Sequence, residues 1–289
     1  MSERTDDSVA VRLLGSNFVA TSASPTAIDH IRRLWCSFVL DDGAVDFALD
    51  DGSADDGEVV ALDGGHDTSG SGISDSDISD SGISDSGRLA RFAVAVNATA
   101  LDRAPDFAVH SAVVASGDTA IAMPGTSGVG KSTLTAACLR AGFSYVSDEA
   151  LCLHEPDGRV VPYPRPVALS PWSARAVEAP TPGINAGEEL LFTAPDLGSR
   201  VATGELRLRH VVFLDRRPTG IPTLRETPRP LAVTRLLELS FNHYRRPASA
   251  VQLAATVIAE AAVWTLAYSD PLAAARLLWS DLGDSAPNA

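Results

Sequence analysis

The stretch Gly125–Thr133, GTSGVGKST, holds the only lysine in 289 residues; every other member of the Lys+Arg total of 23 is an arginine. A position that keeps an ammonium in a chain otherwise committed to guanidinium needs a compact, flexible charge, because the planar fork of arginine is bulkier and differently directed. The spacing is that of the phosphate loop, G-x4-G-K-[ST]. Gly125, Thr126, Ser127, Gly128, Val129 and Gly130 are mostly small, so successive backbone N–H groups can turn inward around phosphate oxygens. Lys131 then brings its charge between the outer two phosphates, and the hydroxyl of Ser132, followed by that of Thr133, suits Mg2+, which takes hard oxygen ligands. Asp148-Glu149 follows Lys131 by 17 residues. One of these carboxylates can complete the cation's shell, and the other can take a proton from an incoming hydroxyl.

Elements must hold these groups together. FAVHSAVVASGDTAIAMPG is two apolar runs joined at Ser116-Gly117-Asp118, a tight-turn signal that predicts a hairpin delivering the chain into Gly125. Ser132 to Ala141 suits a helix with Gly142 as its cap, whose positive dipole end would face the loop. FSYVS (143–147) predicts a strand ending at Asp148-Glu149, and the carboxyl ends of strands are where a parallel α/β sheet opens its crevice. LCLHEPDGRVVPYP predicts a hairpin around Pro156-Asp157-Gly158, and LRHVVFLD (208–215) a buried strand. Helices are predicted over 232–241, 248–268 and 271–282. Upstream, 27–39 has helical spacing, AVDFAL and EVVAL look like the arms of a hairpin, and RLARFAVAVNATAL from Arg88 reads as a strand.

Length and a 45% hydrophobic composition allow one catalytic-sized domain with a smaller one appended. The expected division is an N-terminal α+β region over 1–63, a Ser/Asp/Gly-rich disordered insert over 64–87, and an α/β phosphate-loop domain over 88–289. Within the insert Ile-Ser-Asp-Ser recurs at 73, 78 and 83, a period of five that lacks the spacing of calcium-binding repeats. A formal charge of −14 excludes a nucleic-acid surface, which needs clustered Lys and Arg. Cys36, Cys138 and Cys152 have no metal or disulfide spacing and read as reduced thiols of a cytoplasmic protein. The start MSERTDDSVAVRLLG lacks the form of a signal peptide. The longest apolar run, 251–268, is broken by Gln252 and Glu260, which predicts a buried helix rather than a membrane span.

The chain lacks the LSGGQ-type signature and distant acidic strand of the ABC transporter ATPases. The order GTSGVGKSTL, GFSYVSDE, PYPRP, with His110 standing 15 residues before Gly125, instead resembles the HPr kinase/phosphorylase family and its relatives in the phosphoenolpyruvate-carboxykinase-like superfamily. The likeness covers about residues 108–170. It implies an HPr-kinase-like domain built on a mixed sheet, ATP and Mg2+ as cofactors, and transfer of the γ-phosphoryl group to a hydroxyl: a serine of a protein or peptide, or a small-molecule alcohol. It further implies Asp148 as general base, Ser132 and Glu149 as metal-linked groups, His110 near the triphosphate or the acceptor, and association into homo-oligomers. The chain departs from HPr kinases in having Asp-Glu where they have two aspartates. It also has no lysine-containing segment of the kind linked to phosphorolysis, so the likeness carries neither phosphorolysis nor HPr itself as acceptor. Two rival expectations are a regulatory protein that holds a nucleotide without transferring it and a simple NTP hydrolase.

Three weaker signals remain. Arg165, between the prolines of PYPRP, has a well-defined place from which to clamp a phosphate or a carboxylate, or to sit on the surface. His243, Arg245 and Arg246 form a second basic spot. The tryptophans Trp35, Trp172, Trp264 and Trp279 read as packing residues, and His154 and His210 as structural histidines.

Overall fold

The computed structural model describes residues 8–40, 58–62 and 83–283. Two compact units emerge, Met1–Arg103 with Ile184–Glu189, and Ala104–Gly183 with Leu190–Ala289. The first therefore reaches well past the expected limit at residue 63.

In the first unit, β1 (Ser8–Leu13) and β2 (Ser16–Thr21) form an antiparallel hairpin, and β3 (Glu58–Ala61) pairs with β2 in parallel. The AVDFAL arm and residues 63–82 of the Ser/Asp repeat lie outside the described residues. Helix α1 (Pro25–Leu34) starts at Ser24, whose Oγ accepts from the Ala27 N–H and donates to Asp85 Oδ1 at 2.7 Å. The segment expected to be a strand from Arg88 is instead helix α2 (Asp85–Arg103). Its buried residues Leu89, Phe92, Val96 and Ala100 recur at intervals of three and four, which places them on one helical face. The apparent alternation around Val94 misleads because Val94 itself faces solvent. Asp85, Ser86 and Gly87, expected in the insert, form the first turn of α2. Phe92 meets the Trp35 ring edge-on with centroids 5.0 Å apart.

The second unit is built on an eight-stranded mixed sheet. The expected hairpin is β4 (Phe107–Ser116) and β5 (Thr119–Pro124); it is followed by helix α3 (Lys131–Ala141), β6 (Ser144–Ser147), and a second expected hairpin, β7 (Ala150–Leu153) with β8 (Arg159–Val161). β9 (Val167–Leu169) lies outside this sheet and precedes the short helix α4 (Pro171–Ala176). The short strand β10 (Ile184–Ala186), which counts with the first unit, and β11 (Glu189–Phe192) come next in the chain, then the long β12 (Leu206–Arg216) and β13 (Thr223–Glu226). The chain ends in α5 (Arg229–Glu238), α6 (Pro247–Glu260), β14 (Ala262–Tyr268) and α7 (Pro271–Leu282), the last as expected. The predicted helix over 248–268 is thus two elements. Helix α6 stops at Glu260, and the rest becomes a strand between β12, in parallel, and β13, in antiparallel pairing. A strand buried on both faces reads as a continuous apolar run, which periodicity cannot tell from a buried helix.

Strand β12 also pairs in parallel with β5, and at its start with β8, so β12, β5, β4, β7 and β8 close a circuit. Alternation divides the sheet's side chains between two cores. Ile121 and Met123 of β5 face one side with Leu134, Leu139 and Leu278, whereas Ala120 and Ala122 face the other with Leu236, Leu253 and Ile258. In β12, Leu208 and Val211 share a face despite their odd spacing because a register shift between Leu208 and His210 inserts one residue. Among the described residues no helix is long and apolar enough to cross a membrane.

Candidate functional site

The hairpin explains the 15-residue interval between His110 and Gly125. Ser111 pairs with Pro124, and the Gly125 N–H donates to the His110 carbonyl at 3.2 Å, so the histidine stands beside the first residue of the loop. Thr126, Ser127 and Gly128 form the exposed tip, and Val129 packs back on Gly125, where an added Cβ would meet it at 2.9 Å. Gly130 begins α3 with φ 103°, a left-handed conformation that strains other residues, and a Cβ there would sit 3.0 Å from the Tyr268 hydroxyl. Side chains cap α1, α4 and α7, namely Ser24, Ser170 and Asp270, but no side chain caps α3. Its first N–H groups are left for the loop side.

The acids are positioned by a break in a strand. β6 and β7 both pair antiparallel with β4, one after the other, and Asp148-Glu149 is the two-residue interruption between them. Ser147 Oγ accepts from the N–H groups of Glu149 and Ala150, and the Ser111 N–H donates to the Glu149 carbonyl at 3.1 Å. The crevice expected of a parallel sheet is reached differently: antiparallel β4 separates β5 from β6, so both run the same way and end side by side.

Among the described residues, Lys131 and Asp148 are the only charged residues that are buried. The Lys131 ammonium donates to the carbonyls of Gly125 at 2.8 Å and Thr126 at 2.9 Å, and lies 2.7 Å from His110 Nε2. An ammonium has no lone pair, so Nε2 accepts and the imidazole proton sits on Nδ1. That atom is 3.3 Å from Glu149 Oε1, oriented outside hydrogen-bond geometry. Burial lowers the Lys131 pKa, with Glu149 and then Asp148 pulling it back in part. A guanidinium could not fit three acceptors converging on one atom.

Arg165 is the residue that sequence reasoning left undecided. Its Nε lies 3.3 Å from Asp148 Oδ1 and its Nη1 3.4 Å from Glu149 Oε2, so it spans both acids instead of clamping a phosphate. The Tyr145 hydroxyl sits 3.1 Å from Asp148 Oδ1 and 2.8 Å from the Arg165 carbonyl, a contact only the fold brings about. Burial raises the Asp148 pKa, against the Arg165 charge and the hydroxyls of Ser132 and Tyr145, while Glu149 adds to the rise. Burial also pushes Glu149 upward, but His110, Arg165 and Lys131 outweigh it and its pKa is lowered. Only 1% of the Asp148 side chain is exposed, against 21% for Glu149.

Asp148 Oδ2 is buried without a partner in hydrogen-bond geometry among the described residues, and the Ser132 hydroxyl acts on the same carboxyl group. An orphaned carboxylate oxygen next to a hydroxyl fits a hard divalent cation. No cluster of three or more His, Cys, Asp or Glu forms a metal site among the described residues.

Other sequence-marked residues lie apart from this cluster. Thr133 Oγ1 turns away and donates to Ser173 Oγ at 2.9 Å. In the basic spot, Arg246 bonds Glu155 Oε2 and the Pro105 carbonyl, each at 2.6 Å. The buried anchor there is Asn242, which accepts from the Ala108 N–H and donates to the carbonyls of Ala104 and Asp106. His154 faces Asp157 at 3.0 Å, and His210 accepts from the Trp264 indole at 3.3 Å. Cys138 and Cys152 are buried, whereas Cys36 is exposed. Trp172, read as packing, is half exposed.

No protein-family model matches the chain, and no curated protein matches it in sequence.

Proposed function

We propose that the second unit binds ATP with Mg2+ and transfers the γ-phosphoryl group to a hydroxyl, in the manner of the HPr-kinase-like proteins its motifs resemble. The observation that carries this reading is that the only two buried charges among the described residues, Lys131 and Asp148, act on each other where Lys131 bonds the glycine loop. Burying charge is costly unless the site uses it. Loop amides and Lys131 neutralise the phosphates, which is most of what phosphoryl transfer asks of a protein. For that, Lys131 exchanges its bonds to the loop carbonyls for phosphate oxygens.

The division of labour between the acids is the reverse of what the resemblance implies. Asp148, buried beside Ser132, would hold Mg2+ with it; the ion, when bound, supplies charge neutralisation across the phosphates. Glu149 is the carboxylate an acceptor can reach, and His110 Nδ1 lies 3.3 Å from it. The acceptor oxygen forms a bond to the γ-phosphorus as the bond to the β–γ bridging oxygen breaks. ADP leaves, and the hydroxyl proton passes to Glu149. The acceptor is a serine of a protein or peptide, or a small alcohol. The setting is cytoplasmic, where ATP is supplied and the three cysteines stay reduced.

Arg165, which occupies both carboxylates, favours a second reading: a protein that holds a nucleotide and transfers nothing. Labelled ATP separates the two. Under the kinase reading, wild type passes γ-label to an acceptor, and Glu149→Gln loses that transfer at least about 100-fold while keeping its nucleotide affinity. Tight binding without transfer or phosphate release selects the holder, and phosphate release indifferent to any acceptor selects a hydrolase.

A further inference from the structure

Beyond the phosphate cradle, a second group of side chains gathers at the same edge of the sheet. Arg216 ends β12 and Tyr268 ends β14, paired in register, and both come against Gly130 at the mouth of the loop. The Arg216 guanidinium lies over the Trp172 ring, 5.5 Å from its centroid. Trp172 is the second residue of α4 and is 52% exposed. It is nevertheless firmly placed: its neighbour Ser173 receives the bond from Thr133, in the first turn of α3, and Ser170 caps the Ser173 N–H. A large aromatic left half in water usually costs solubility and carries no benefit to packing. Here the adjacent Ser173 is tied to Thr133 and the ring itself is backed by a cation.

We infer that Trp172 and Arg216 form the platform on which the base of the nucleotide stacks, beside the phosphate loop. This deepens the proposed function and rests on it. Every nucleobase has a π-face, and stacking on an aromatic ring with an adjacent guanidinium is sequence-tolerant recognition of that face. The phosphate loop itself cannot discriminate ATP from an inorganic polyphosphate chain, so the platform is what makes the ligand a nucleotide.

Titration calorimetry of the full chain with Mg2+, using ATP and inorganic tripolyphosphate, tests it. Trp172→Ala should weaken ATP about tenfold, equivalent to about 1.4 kcal/mol, and leave tripolyphosphate unchanged. Trp172→Phe, which keeps a smaller ring, should recover most of the loss. If Trp172→Ala does not fold, Arg216→Ala reads the same ratio, with a smaller selective loss for ATP. Equal loss of both ligands assigns these residues to the phosphates or to the fold and overturns the platform. An unchanged ATP affinity, or a wild type that binds ATP no better than tripolyphosphate, overturns it while leaving the phosphate loop standing. A wild type that binds neither ligand removes the nucleotide reading and the platform with it.

Discussion

The two ends of the parallel pair β5–β12 are built on opposite principles. At the carboxyl end, Lys131, His110, Asp148, Glu149 and Arg165 crowd into a small, largely buried cluster. At the amino end a cleft of about 550 Å³ opens between the turn 155–158, the start of β12 and one face of α6. Yet its charged groups, Glu155, Asp157, Arg207 and Glu260, all reach water, and their ionic partners, Arg246 for Glu155 and His154 for Asp157, are themselves solvent-accessible. Size alone therefore does not mark chemistry. What distinguishes the carboxyl end is that charge has been taken out of water and made to face other charge, which shifts pKa values in opposite directions for two adjacent acids.

Substitutions at each end put that contrast at risk. Arg165→Ala should show the largest effect on stability, about 3 kcal/mol in denaturant unfolding, because two carboxylates lose their shared cation. Adding Asp148→Asn should recover part of the loss, and a loss below about 1 kcal/mol would place the cluster on a par with surface pairs. Next, Lys131→Ala and Lys131→Arg should each weaken ATP binding at least about 100-fold, or about 2.7 kcal/mol. Arg207→Ala in the cleft should leave it within about twofold. An arginine that binds as well as lysine would remove the reason for the lone ammonium.

Alkaline unfolding sharpens the same contrast. Burial raises the Tyr268 pKa from 10.0 to about 12, with the Arg216 charge opposing it, and Tyr145 and Tyr163 are raised as well. The folded chain keeps these protons after the unfolded chain has released them. Stability present below pH 10 is therefore lost as the pH climbs toward about 12, and Tyr268→Phe should make the decline shallower. The smallest effect belongs to the outer pair: Arg246→Ala, which breaks an exposed contact with Glu155, should cost under about 1 kcal/mol in the same measurement.

Local signals were readable where contacts are local. The β4–β5 and β7–β8 hairpins, α3 with its Gly142 cap, β12 and α7 follow from turn residues and apolar runs that need no distant partner. Two readings failed, for different reasons. RLARFAVAVNATAL shows an alternation around the exposed Val94 that masks its one-sided helical spacing, whereas AVWTLAY is a continuous apolar run whose deciding neighbours come from far away in the chain. Arg165 was legible as a rigidly held arginine, but not what it touches. Trp172 was read as a packing residue, and the contact with Arg216 and the Thr133–Ser173 bond beside it are tertiary.

By itself, the sequence determined that a lone lysine closes a glycine-rich loop of the G-x4-G-K-[ST] pattern between a strand and a helix, and that two acids follow at short range. Backbone amides, loop size and residue type are properties of a few consecutive residues. Only the tertiary structure decided which acid is buried against Ser132 and which stays reachable beside His110, because a two-residue break between β6 and β7 sends adjacent side chains into different surroundings. Burial and charge contact are set by the packing of distant segments, and no spacing along the chain encodes them.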